Sequence, residues 1–229
     1  MGISRLHKIF AAVLSGGLAL ALIASISGLN EGDGLSRQVR ASIEESGVKS
    51  EVTAVLLNFR GYDTLLEIAV LLLALIGVTA LAEGETAPEK ADVRDPALSG
   101  LAELILPLMV LASGYLLHAG TYAPGGAFQA GAVLAAAILL ARLAGIAEPE
   151  RRKGALAGIA AIGFAVFLSA ALAPLLLGAR FFDYPGQAAH AIIVVVEGAL
   201  AISTALILYL LFSECSSIRQ WRGRKGEAE

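Results

Sequence analysis

The chain has 229 residues, and its composition excludes a water-soluble fold. Hydrophobic residues make up 57% of it, there are 25 glycines, and 16% of residues are charged, against about 25% in soluble domains. A soluble domain of this size has too little interior to bury so much apolar surface. The net charge of -3 is small, and the single cysteine, Cys215, excludes an internal disulfide. We therefore predict an all-α integral membrane protein and exclude a disulfide scaffold, a disordered tail and a nucleic-acid-binding module.

Six apolar stretches predict about six transmembrane helices, since each approaches the ~20 residues that cross about 30 Å of hydrocarbon. They are Leu6–Leu29, Thr64–Leu81, Leu98–His118, Gly126–Ala144, Ala155–Leu177 and Gln187–Phe212. The first stretch also has features of a signal peptide, because Arg5 and Lys8 precede it. It exceeds the usual 7–15-residue apolar core of such peptides, so we expect an uncleaved transmembrane helix.

Residues 30–63 form the only long polar segment between these stretches. Within it, residues 37–46 are predicted as a short helix. Residues 52–59 (VTAVLLNF) are predicted as a short strand that ends at a turn. A second polar segment, rich in Glu, Asp and Pro, follows the second apolar stretch. We place a domain boundary there, which divides the chain into a two-helix region, 1–92, and a four-helix region, 93–229.

The distribution of basic residues predicts the orientation of the chain in the membrane. With the N-terminus inside, 12 of the 17 Lys and Arg lie in inner segments, as the positive-inside rule requires. Both termini are therefore expected in the cytoplasm, and segment 30–63 is expected outside.

Two acidic residues mark the start of the second apolar stretch. Charges in hydrocarbon are costly and usually functional. Asp63 and Glu67 are four residues apart, on one helix face. Two carboxylates at this spacing can pass a proton or hold a cation together. Asp63 also fits a helix N-cap, and Glu67, which is deeper, fits either a functional role or an intersubunit contact.

A third acid, Glu197, lies near the middle of the last apolar stretch. His190 precedes it by seven residues, or two helical turns, on the same face. A carboxylate and an imidazole placed in this way can belong to a proton relay. They can equally form a buried hydrogen-bonded pair that ties this helix to a neighbour. The acids and histidines do not form a metal-ligand pattern, so we predict no metal site.

The segment HAGTYAPGGAFQAG, residues 118–131, interrupts the helical pattern between the third and fourth stretches. Its glycines suggest a phosphate-binding loop, but no Lys-Ser/Thr follows them, which excludes that interpretation. We interpret the segment as a tight turn that allows close helix packing. Its structural residues are Pro124, Gly125, Gly126, Phe128 and Gly131.

This segment resembles the signature of the MnhB subunit of the Mrp-type sodium/proton antiporters, which small subunits of membrane-bound hydrogenases share. The pattern is roughly GHxxPGGGFxxG, and the similarity extends over about residues 94–212. Two positions depart from it. Thr121 stands at the usual histidine, for which His118 is a candidate replacement, and Ala127 stands at the third glycine.

Residues 52–82 separately resemble the C-terminal end of the large Mrp subunit, which in membrane-bound hydrogenases is a small separate subunit. The run NFRGYDTLLEI, residues 58–68, matches the RG(F/Y)DTxxE pattern of that family. The resemblance implies that the functional acids fall on Asp63 and Glu67. It also implies that this chain fuses two adjacent subunits.

Together the resemblances imply an accessory, non-catalytic subunit of a multi-subunit sodium/proton antiporter in the cell (inner) membrane. Expected partners are other antiporter or hydrogenase subunits, lipid, Na+ and H+, with no cofactor and no nucleic acid. The relay candidates are Asp63, Glu67, Glu197, His190 and His118. Two alternatives remain open, namely a subunit of a redox-driven, hydrogenase-type complex and a purely structural scaffold.

Overall fold

The computed structural model describes residues 2–27, 36–82, 95–146, 153–176 and 178–227. Each regular element in these ranges is helical, with no strand among them. The α-helices are α1 (Gly2–Ser27), α2 (Ser36–Ser42), α3 (Glu51–Ala54), α4 (Gly61–Ala82), α5 (Pro96–Ala119), α6 (Ala127–Leu143), α7 (Lys153–Leu176) and α8 (Gly186–Glu227). A 3-10 turn, Ile43–Ser46, follows α2, and a π-helical turn, Val55–Phe59, follows α3.

The chain divides into two compact units, Met1–Gln38 and Val39–Glu229. The first unit contains α1, a helix of 26 residues. It covers most of the first predicted span, whose end at Leu29 lies outside the described residues. The domain boundary expected near residue 92 also lies outside them, so the division into 1–92 and 93–229 stays a prediction.

The all-helical membrane fold is confirmed. Four helical segments are long and apolar enough to cross a bilayer, and they are Gly61–Leu81, Pro96–Ala119, Gly154–Leu176 and Ala188–Glu214. Two shorter apolar segments, Ala12–Ser25 and Ala127–Leu143, fall within the remaining predicted spans. The count of six spans and the cytoplasmic termini stay predictions.

The predicted strand at 52–59 is wrong, because these residues form α3 and the π-helical turn. Ser50 caps α3, and its Oγ accepts a hydrogen bond of 3.3 Å from the N–H of Thr53. The N–H of Arg60 closes the π-turn on the carbonyl of Val55 at 2.7 Å. A strand needs a neighbouring strand for its backbone groups, whereas a helix satisfies them within the segment. The described residues offer no such neighbour.

Helix α8 is the centre of the second unit, and it packs against α4, α5, α6 and α7. Small residues allow the closest approaches. A Cβ added to Gly131 of α6 would lie 2.8 Å from the carbonyl oxygen of Ala201 on α8. One added to Gly163 of α7 would lie 2.6 Å from the carbonyl oxygen of Ala199. One face of the first half of α8 is therefore in close contact with α6 and α7.

Aromatic residues fix the start of α4. The Tyr62 ring stacks on Phe181, with 4.7 Å between ring centroids, and meets Phe182 edge-on at 5.3 Å. A Cβ on Gly61 would lie 2.6 Å from the Phe182 ring. The loop between α7 and α8 thus sets the position of the first turn of α4, which carries Asp63.

Candidate functional site

Glu197 is buried in the second unit, with 3% of its surface exposed. It lies on α8 against the turn that connects α5 to α6. The backbone N–H of Ala127, the first residue of α6, donates a hydrogen bond to its carboxylate. A negative group is favoured at a helix N-terminus, where backbone N–H groups are unpaired. Glu197 therefore joins α8 to the start of α6.

The glycines of the turn make room for this carboxylate. A Cβ on Gly126 would lie 2.9 Å from Glu197 Oε1, and one on Gly120 would lie 3.0 Å from it. Gly126 has φ 113°, which favours glycine. The N–H groups of both glycines donate to the carbonyl of Leu116, at 3.2 Å from Gly120 and 2.9 Å from Gly126. The predicted tight turn is thus a cradle for the Glu197 side chain.

The segment before α4 covers the same turn. The N–H groups of Lys49 and Ser50 donate to the carbonyl of Thr121 at 2.9 and 3.2 Å. Thr53 Oγ1 donates to the carbonyl of Gly120. Residues 49–53 thereby hold this turn in place. They contact it from the side that the predicted topology places outside the cell.

A small cavity adjoins Glu197, and it has room for a water molecule. We call it the Glu197 chamber. Its lining residues are Thr53, Leu56, Leu57, Thr64, Gly125, Gly126, Ala127, Phe128, Gln129, Glu197 and Leu200. Sequence reasoning found Glu197 and the glycines but missed Thr53, Thr64 and Gln129, whose polar side chains carry no spacing that links them to Glu197.

Asp63 and Glu67 lie in the first two turns of α4, and both are exposed. Asp63 forms an ion pair of 2.5 Å with Arg60. Both acids face a wide groove between α4, α6 and α8, which we call the Glu67 groove. Its lining residues are Asp63, Leu66, Glu67, Val70, Leu71, Phe128, Ala132, Thr204 and Leu208.

The two candidate histidines contact groups other than the candidate acids. His190 Nδ1 is 3.2 Å from the carbonyl oxygen of Gly47. His190 is two turns, or about 10 Å of helix rise, from Glu197. The exposed His118 packs edge-on against Tyr122, with 5.4 Å between ring centroids. The relay roles of all five candidate residues stay predictions.

A comparison with protein families assigns the chain. A family described as "Domain related to MnhB subunit of Na+/H+ antiporter" matches residues 97–214, just over half of the chain. The chain belongs to this family. The resemblance of residues 94–212 to MnhB is thereby confirmed, whereas the fusion with the end of the large Mrp subunit stays a prediction. Among the described residues, no three His, Cys, Asp or Glu side chains are placed to hold a metal ion in this MnhB-related chain.

Two solved structures share the fold of this MnhB-related chain. A chain of the archaeal membrane-bound sulfane sulfur reductase, a respiratory membrane complex, matches with a TM-score of 0.70 and 23% identity. The match covers 93% of this chain and 98% of that one. A chain of the Mrp complex from Dietzia sp. DQ12-45-1b matches with a TM-score of 0.67 and 21% identity, over 93% of this chain and 26% of that one. No curated protein sequence matches the chain.

Proposed function

We propose that this chain is an accessory subunit of a multi-subunit Mrp-type sodium/proton antiporter, where it contributes to ion translocation and to packing between subunits. The chain itself is non-catalytic. Membership in the MnhB-related family supports the complex. The position of Glu67 beside Asp63 in the groove of a membrane-spanning helix is the observation that supports a role in translocation.

Glu67 lies in the second turn of a membrane-spanning helix, where contact of a carboxylate with lipid is unfavourable. The cost reaches about 2.5–3.5 kcal/mol for a charge at the centre of such a helix. The side chains beside Glu67, Leu66 and Val70, are 63% and 61% exposed. This face of α4 is therefore covered by another subunit, and Glu67 lies at that interface.

The Glu67 groove contains a further polar group. Thr204 is 2% exposed, and its Oγ1 has no hydrogen-bond partner among the described residues. This oxygen is buried within the chain itself, so it is not available to a covering subunit. The groove thus presents the carboxylates of Asp63 and Glu67 to that subunit.

Asp63 and Glu67 are the groups that carry the transferred cation or proton in this proposal. They lie one helical turn apart on the groove side of α4. Asp63 is nearer to the predicted outer surface and is held by Arg60. A cation or proton that reaches Asp63 passes to Glu67 and then to acceptors of the covering subunit.

Neutralising Glu67 in the assembled complex tests this proposal. Glu67→Gln keeps the shape of the side chain and removes its charge, and we expect sodium/proton exchange in vesicles to fall while the subunits still assemble. Full exchange at normal assembly would contradict the proposal. Altered assembly at full exchange would favour a purely structural scaffold.

A redox-driven complex is the second candidate function. The match to the sulfane sulfur reductase covers nearly the whole of both chains. Purifying the tagged chain from its native membrane distinguishes the two candidates. Co-purifying iron–sulfur or nickel proteins would favour the redox-driven complex, and antiporter subunits alone would favour a free antiporter.

A further inference from the structure

The Glu197 chamber and the Glu67 groove have one lining residue in common, Phe128. Thr64, in the chamber, and Glu67, in the groove, are three residues apart on α4. The helix rise between them is about 4.5 Å. Phe128 therefore borders two compartments that each contain an acid.

Three polar groups of the chamber can accept hydrogen bonds from a ligand. Thr53 Oγ1 already donates to the carbonyl of Gly120, and Thr64 Oγ1 donates to the carbonyl of Leu56 at 2.7 Å. Each hydroxyl oxygen thus has only lone pairs left to offer. The carboxylate of Glu197 is a further acceptor while it is ionised, and it becomes a donor once it takes up a proton. Water, which donates two hydrogen bonds, fits both the size of the chamber and its acceptors.

We propose that the Glu197 chamber binds a proton-carrying water molecule and that Phe128 separates this water from the Glu67 groove. The proposal rests on the antiporter function proposed above. When the Phe128 ring rotates aside, the proton on Glu197 passes to the water, and the water gives a proton to the Glu67 carboxylate. No other bond forms or breaks. With the ring in place, the apolar wall excludes a water chain, as hydrophobic constrictions do in channels.

Passive proton leak through the assembled complex tests the role of Phe128. Vesicles without Na+ receive a pH gradient, and an internal dye reports its decay. We expect Phe128→Ala to accelerate the decay severalfold. Phe128→Leu, which keeps a large apolar side chain, should decay like the wild type. Adding Glu197→Gln to Phe128→Ala should restore the slow decay, because the water would lose its proton donor.

An unchanged decay in an assembled Phe128→Ala complex would overturn the proposal, and so would a fast decay that Glu197→Gln leaves unaffected. These outcomes are independent of sodium/proton exchange by Glu67→Gln. A result against the role of Phe128 is therefore distinguishable from a result against the proposed antiport.

Infrared difference spectroscopy of the otherwise unmodified complex tests the chamber, even where Phe128→Ala prevents assembly. We expect a carboxyl C=O band that grows on acidification, shifts in D2O and is missing in Glu197→Gln. The absence of such a band would overturn the proposal. A band that responds to Na+ at constant pH, and not to acid, would also overturn it, because the chamber would then bind a metal cation.

Discussion

The carboxylate of Glu197 accepts a hydrogen bond from the backbone N–H of Ala127, so the acid of α8 caps the first turn of α6. This contact explains why glycines lie next to the carboxylate of Glu197. Gly120 and Gly126 are the residues at which a Cβ would lie within about 3 Å of Glu197 Oε1. The glycine-rich segment is thus a binding site for a side chain of the same protein.

Substituting Gly126 should destabilise the chain. Gly126→Ala forces a Cβ onto a residue with φ 113° and brings it 2.9 Å from Glu197 Oε1. Strain of this kind costs about 1–3 kcal/mol. Thermal unfolding in detergent should show a lower midpoint. The control is Gly114→Ala, at a helical position with no atom within 4 Å, which should unfold at or above the wild-type midpoint.

Two glycines of α7 should respond differently to the same substitution. Gly163→Ala places a Cβ 2.6 Å from the carbonyl oxygen of Ala199 and so pushes α7 away from α8. Overpacking of this kind costs about 1–3 kcal/mol. Gly158→Ala meets nothing within 4 Å and should not destabilise the isolated chain. Equal unfolding midpoints for the two variants would contradict the α7–α8 packing.

The hydroxyl of Thr53 should contribute to stability through the turn. Thr53→Val removes the donor to the carbonyl of Gly120 and leaves that acceptor in a buried residue. A buried acceptor without its partner costs about 1–3 kcal/mol. Thr79→Val removes hydrogen bonds only to carbonyls of its own helix and should cost less. Chemical denaturation of both variants in detergent measures the difference, and a smaller loss for Thr53→Val would refute this account of the turn.

The predicted topology can be measured by labelling cysteines in intact cells, after Cys215→Ser removes the native thiol. Arg60→Cys, in an exposed turn before α4, should react with an impermeant reagent from outside. Ile146→Cys, 46% exposed after α6, should react only after permeabilisation. The reverse pattern would invert the orientation that the basic residues predict.

Sequence reasoning found the membrane class, the family and the acids, because each has a strong local signal. A high apolar content is visible directly in the composition. A carboxylate within an apolar stretch is equally easy to identify. The contact between Glu197 and the turn of Gly126 joins residues far apart in the chain, and no periodicity encodes it.

The strand predicted at 52–59 failed for a related reason. Alternation of apolar residues favours a strand only where a second strand is available for pairing. Here Ser50 supplies a helix cap instead. The pairing of His190 with Glu197 rested on spacing alone, and the ring of His190 lies beside the carbonyl of Gly47.

The central claim is tested most directly by measuring sodium/proton exchange in vesicles that contain the Glu67→Gln complex. The matched control is Glu103→Gln, at an exposed position on α5. Both variants are purified as assembled complexes, and sodium-driven proton movement is measured at equal subunit content. We predict that Glu67→Gln slows exchange by about a hundredfold, the lower range for a positioned proton-transfer group, while Glu103→Gln exchanges normally. Wild-type exchange by Glu67→Gln in a fully assembled complex would contradict the account.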